Sequence, residues 1–221
     1  MQEGRRSDGG QILDPTQAKI IVPSEYWNEL KRRDLGVLCR NALLTPHPPE
    51  GVLLRFMGRT ILIDLQGSAL KTGRGSAWER EDDALLELLS LVYLLRAGPE
   101  GLSNEMVSAQ QLKTSHFFQG PHALNVDPLI RRFGCDLTGF KRSAGSIGGE
   151  PLDLADASVR ILTFPKVPLY YLLWAGDEEF APRLSVLFDR SIESHLSADA
   201  IWGLVSLVSD MLLKAFPSYP S

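Results

Sequence analysis

The sequence predicts an α+β fold, a single domain in which a mostly antiparallel sheet packs against a leucine-rich helix and a C-terminal helix. Three observations carry that expectation. Two β-rich runs, Val52 to Phe56 and Thr60 to Leu65, are joined through Met57, Gly58 and Arg59, a short glycine-containing link suited to an antiparallel hairpin. A second pair of extended runs, Ser158 to Phe164 and Leu169 to Trp174, follows about a hundred residues later. Two helical patterns, one after Asp83 and one after Ser197, are apolar enough to need a core. At 221 residues, 44% hydrophobic and a net charge of -4, the chain suits one core. It carries no basic field to collect phosphate backbones or an anionic membrane, so nucleic acid is not an expected partner.

In chain order, Met1 to Gln17 is polar, with Arg5, Arg6 and Gly9-Gly10 and no apolar core like that of a secretory signal. Residues 1–18 are therefore expected as a tail, 19–217 as the domain and 218–221 as a second tail. Ile20 to Val22 suits a short edge strand, and Ser24 a helix cap ahead of Trp27 and Leu30. Arg32, Arg33 and Arg40 read as a solvated helix face, and Pro46-His47-Pro48-Pro49 as a loop. The segment QGSALKTGRGS puts Lys71, Thr72, Gly73, Arg74 and Gly75 between a strand and a helix, where phosphate-cradling loops occur. Lys71 precedes the glycines, however, so the GxxxxGK[ST] register is missing. Asp82 and Asp83 open a helix that Gly98-Pro99 stops, with acid at its start and Arg96 near its end as the helix dipole favours. Leucines surround that helix, which makes it a buried one. Glu87 and Arg96 interrupt it, and no window reaches the ~18 apolar residues of a membrane helix. A cytoplasmic protein is expected.

Asn104 to Leu112 reads as a short mixed segment. His116 and His122 do not share the i, i+4 spacing of a metal pair on one helix face, so a joint site would need a turn at Gly120. A helix is expected from Pro121 to Phe133, broken or restarted at Asp127-Pro128, and Ser143 to Gly149 reads as a flexible glycine loop. Cys39 and Cys135 have no CxxC spacing and supply neither a zinc site nor an iron–sulfur cluster; two buried thiols are expected. Val159, Ile161 and Thr163 alternate with Arg160 and Leu162. Leu169 to Trp174, entered by Pro165 and Pro168 and released at Gly176, has no polar break and reads as a strand covered on both faces. Leu184, Val186 and Phe188 alternate toward Asp189, which is placed to cap a short helix over Ser191 to His195. Ser197 then caps the last helix, with Leu196 packed on Ile201 as a staple, and Pro217 ends it.

Asp177, Glu178 and Glu179 arrive together at the end of the most apolar strand, where a rigid scaffold holds side chains in fixed relation. One reading makes Asp177, Glu178, Glu179 and Asp189 hard oxygen ligands for Mg²⁺ or Ca²⁺, with His195 as a base and Trp174, Arg190 and His122 as further candidates. On an extended backbone Asp177 and Glu179 share a face and Glu178 does not. The other reading is an ion-pair and capping network, in which Asp177 and Asp189 accept backbone N–H groups and Arg160, Arg183 or Arg190 supplies counter-charge. GxSxG, HExxH, Walker and GxGxxG signatures are absent, so the sequence signals no catalytic class.

Gly148-Gly149, Asp156, Pro165 with Pro168, Trp174, the run Gly176-Asp177-Glu178-Glu179-Phe180, Leu187-Phe188-Asp189, and Leu196 with Asp199 together resemble the C-terminal half of a bacterial and archaeal family, domain of unknown function 3786 (DUF3786). A weaker likeness extends upstream to Trp27, the Gly58-Arg59 hairpin and the leucine-rich helix. The resemblance implies a cytoplasmic protein of anaerobes rich in corrinoid and iron–sulfur metabolism. It fits a non-catalytic binding or accessory module whose partner is a metalloenzyme or corrinoid protein, and it is compatible with a homo-oligomer; the alternative is a divalent-metal-dependent enzyme built on the acidic cluster. Some relatives carry an added cysteine-rich cluster-binding segment. With Cys39 and Cys135 alone this chain departs from them and holds no iron–sulfur cluster by its own cysteines; a divalent cation is the cofactor for which its acidic residues offer ligands.

Overall fold

The structure, a computed structural model, describes residues 20–74 and 77–215. Two helices, α1 (Ser24–Arg32) and α2 (Leu35–Ala42), precede five strands: β1 (Thr45–His47), β2 (Gly51–Phe56), β3 (Arg59–Asp64), β4 (Ala69–Arg74) and β5 (Ala77–Arg80). These form an antiparallel meander in chain order. The long helix α3 (Ala84–Arg96) then leads to β6 (Met106–Ser108), the helices α4 (Asp127–Phe133) and α5 (Leu137–Ser146), and the strands β7 (Glu150–Leu152), β8 (Ala157–Phe164), β9 (Val167–Trp174) and β10 (Arg183–Asp189). The second sheet is also antiparallel, in the order β6-β10-β9-β8-β7, and α6 (Ala198–Ala215) closes the fold. The α+β class and the antiparallel pairing hold. The hairpin and the later strands occupy two sheets, where the sequence suggested one.

The β2–β3 hairpin turns on Met57 at φ 49° and Gly58 at φ 75°. Positive φ at both central residues gives the twist that a two-residue hairpin needs. The turn also joins the sheets, because Met57 N–H donates to the Thr163 carbonyl at 2.9 Å. Beside it Phe56 meets Phe164 at 5.1 Å, and Phe164 stacks on Tyr93 of α3 at 4.7 Å and 8°. The Tyr93 hydroxyl donates to the Ala42 carbonyl, so one buried aromatic column ties α2, α3 and both sheets together. On the other side Tyr171 of β9 points its hydroxyl at Val205 and Ser209 of α6. Among the described residues no helix is long and apolar enough to cross a membrane.

Asp83 caps α3 through Leu85 and Leu86 N–H, and Asp189 caps the 3-10 turn Arg190–Ser194, both as the sequence indicates. Other expectations fail for identifiable reasons. Ile20 to Val22 is not a strand, and Ser24 is the first helical residue, with Pro23 at the cap position. Lys71 to Arg74 is the end of β4, paired with β5, so the phosphate-loop position does not exist. His47 ends a short strand. Asp127-Pro128 starts α4, and the residues before it make only the 3-10 turn Gly120–His122. Ser143 to Ser146 belongs to α5, where burial of Phe140, Ser143 and Ala144 overrides the helix-weakening glycines. Cys39 is half-buried and Cys135 exposed, which corrects the expectation of two buried thiols. The 1–18 and 218–221 tails and the stop at Pro217 lie outside the described residues.

Candidate functional site

The acidic cluster lies in the β9–β10 loop, and Asp177, Glu178 and Glu179 are all exposed. Asp177 folds the loop on itself. Its Oδ1 accepts from Glu179 N–H at 2.9 Å and Phe180 N–H at 2.7 Å, while its own N–H donates to the Phe180 carbonyl. Those backbone donors hold its carboxyl below the usual carboxylate range. The arginines expected as counter-charges are engaged elsewhere. Arg183 lies 4.2 Å over the half-buried Trp174 ring, Arg160 pairs with Glu150, and Arg190 pairs with Glu105 and reaches the Gln111 carbonyl.

Asp189 is not part of that cluster. The seven residues of β10, at about 3.3 Å each, put roughly 20 Å between it and the loop. It is 1% exposed, and five donors converge on it. Oδ1 accepts from the N–H and hydroxyl of Ser103 and of Ser191, and Oδ2 accepts from Asn104 N–H, at 2.6 to 2.9 Å. Burial by itself raises its pKa, but the hydrogen bonds from Ser191 and Ser103 outweigh burial and bring it down to about 2. The carboxylate is a clamp with its acceptor capacity in use.

His195 is fully buried, and among the described residues neither ring nitrogen has a hydrogen-bond partner. Burial, then the nearby Lys166 charge, lowers its pKa; Glu100 and Asp189 act in the opposite sense. A general base needs a reachable proton, and His195 meets no solvent. Among the described residues no three of His, Cys, Asp and Glu are gathered so as to hold a metal ion.

Asp177, Glu178 and Glu179 border a shallow, open concavity of about 450 Å³ with Cys135 and Phe180, whereas His122 opens onto a more enclosed one. The His122 ring stacks on Phe117 at 4.5 Å and 24° and stands nearly perpendicular to Trp202 at 6.1 Å and 85°. With Tyr26 of α1, these rings wall a groove of about 420 Å³, within the range of small-molecule sites. Leu85, Leu88 and Leu89 of α3 also line it, and Gly203 of α6 keeps its lining low. Asp199, in the first turn of α6, stands on it exposed. Trp202 is fixed by donating Nε1–H to the Ala123 carbonyl at 3.4 Å. The Phe117 wall is fixed by Glu193, whose carboxylate accepts from Lys113 N–H and from the N–H and hydroxyl of Thr114. Sequence reasoning missed Tyr26, Phe117, Trp202 and Asp199 as a group; the available signal was the crowding of Phe117, Phe118, Pro121 and His122 in an otherwise polar segment.

The family described as Domain of unknown function (DUF3786) matches residues 34–211 of the chain. No curated protein and no solved structure matches it.

Proposed function

The chain belongs to the DUF3786 family, and from that premise we propose that it is a cytoplasmic, non-catalytic binding module, an accessory protein that serves metallocofactor metabolism in anaerobes by holding a ligand or partner group in its aromatic groove. The observation that carries this reading is the groove itself: aromatic walls, a leucine lining and one carboxylate, unpaired among the described residues, in a volume suited to a bound group. The groups that would otherwise suggest catalysis support it too. Asp189 is consumed by five donors, and His195 is sealed from solvent. The link to corrinoid or iron–sulfur metabolism, and a metalloenzyme or corrinoid protein as partner, rest on the likeness of the Gly148 to Leu204 stretch to that family. The acidic loop is the weaker alternative, because Asp177 uses its carboxylate to close its own turn.

The test is native mass spectrometry of the protein purified without oxygen from its own source, alongside Trp202→Ala and Asp177→Asn. Extra mass or a partner chain on the parent, kept by Asp177→Asn and lost by Trp202→Ala, is the expected result. Extra mass of a divalent ion lost by Asp177→Asn would transfer the function to the acidic loop. A bare chain in every sample would overturn the binding reading.

A further inference from the structure

The rings around the groove specify its ligand more narrowly than its apolar lining does. Tyr26, Phe117, His122 and Trp202 bring four aromatic systems to one concavity, and Asp199 is the single acidic side chain among its lining residues. Among the described residues Asp199 has neither an ion pair nor a side-chain hydrogen bond, and no lysine or arginine lines the groove. Aromatic faces carry the negative side of the ring quadrupole and attract a cation, most strongly at tryptophan. An anion would meet both those faces and the Asp199 carboxylate. A neutral apolar ligand would satisfy the leucines and leave the exposed Asp199 carboxylate to water, with no counter-charge.

We infer that the groove is a site for an organic cation with a compact apolar body, of the quaternary ammonium or methylated amine class. This rests on the groove being the protein's binding site, and it names the ligand that site selects. Phe117 and His122 stack on each other, so Tyr26 and Trp202 take the charge by cation–π attraction, the leucines take the alkyl groups, and Asp199 complements the charge from the exposed side. A quaternary head has no N–H to donate, so ring faces and one carboxylate hold it without a hydrogen bond.

The experiment is a titration with choline and with its uncharged isostere 3,3-dimethylbutan-1-ol, read by tryptophan fluorescence and by amide shifts in two-dimensional NMR. The parent, Asp199→Asn, Trp202→Ala and Trp202→Phe are compared, the last keeping a ring in place should Trp202→Ala fail to fold. Choline is expected to bind at least about tenfold tighter than the alcohol. Asp199→Asn should lose most of that preference, and Trp202→Phe should bind more weakly than the parent. Equal binding of the two compounds, at the groove, would overturn the cation inference and leave the groove as a binding site. Binding of neither, or shifts confined to residues outside the groove, would overturn both.

Discussion

Asp189 and Asp177 are the same side chain beside the two ends of one strand, yet Asp189 is 1% exposed and Asp177 stands in solvent. The difference lies in where their donors come from. Asp177 accepts from residues two and three positions ahead, so it shapes one turn and nothing else. Asp189 accepts from Ser191 next door but also from Ser103 and Asn104, more than eighty positions away in sequence, so it fastens the loop before β6 to the end of β10. A carboxylate with local partners fixes a conformation; one with distant partners fixes the tertiary structure. Burial follows from this, because a charged group can be taken from water only where enough donors replace it.

The largest break in the comparison is Asp189→Ala, which strands buried donors from two segments at once. A loss of about 3 kcal/mol is expected, read by urea unfolding. The pH dependence sharpens it. Since the folded pKa, about 2, lies below the unfolded value, the stabilisation is complete above about pH 4 and disappears as pH falls toward 2. Over that window the parent should lose about 2 kcal/mol more than the variant.

His195 belongs to the same buried end and has the opposite charge logic. Lys166, Glu100 and Asp189 are the charges that act on it, and burial leads in keeping it neutral. Its folded pKa is depressed, so the unfolded chain takes up the proton first. Stability is therefore complete above about pH 6.5 and declines below it, by up to about 1.4 kcal/mol per pH unit. His195→Leu should remove that decline while costing less than about 1.5 kcal/mol at pH 8. The same decline in both proteins would assign the acid sensitivity elsewhere.

Glu193 lies between the two cases, half-buried with three donors from Lys113 and Thr114. Glu193→Ala should cost about 1 kcal/mol. Its more telling effect is on the groove, because the released segment carries Phe117: choline binding should weaken although Glu193 does not line the site. Unchanged binding would mean that the wall is held by its ring contacts alone.

The β8–β9–β10 meander was legible because its apolar runs are bounded by prolines, a glycine and acidic residues, and α3 and α6 because caps and leucines agree with each other. The α5 helix was not, since Gly139, Gly145, Ser143 and Ser146 weaken the local signal while Phe140 and Ala144 gain their helix from packing. For the same reason β4 and β5 were hidden: Lys71, Gly73 and Arg74 read as a loop, and only pairing, of Lys71 with β3 and of all three with β5, makes them sheet. At the candidate site, the capping roles of Asp177 and Asp189 are local and could be read from spacing. The groove could not, because it is assembled from residue 26 to residue 203 across five elements, α1, α3, the 3-10 turns Ser115–Phe117 and Gly120–His122, and α6, and no single stretch of chain contains its chemistry.

The smallest expected effect is at Asp177, and it is informative because it is small. A metal site would gain stability from added cation, through binding to the folded state alone. A turn closed by a carboxylate already accepting two N–H groups has little left to offer an ion, and Glu178 and Glu179 beside it are exposed and form no ion pair among the described residues. Asp177→Asn should keep a Tm close to that of the parent, because the amide oxygen still accepts from Glu179 and Phe180 N–H. Millimolar Mg²⁺ or Ca²⁺ should then leave both proteins equally unmoved. A rise in Tm for the parent that Asp177→Asn abolishes would reverse the comparison, making the exposed aspartate the functional one and the aromatic groove a structural seam.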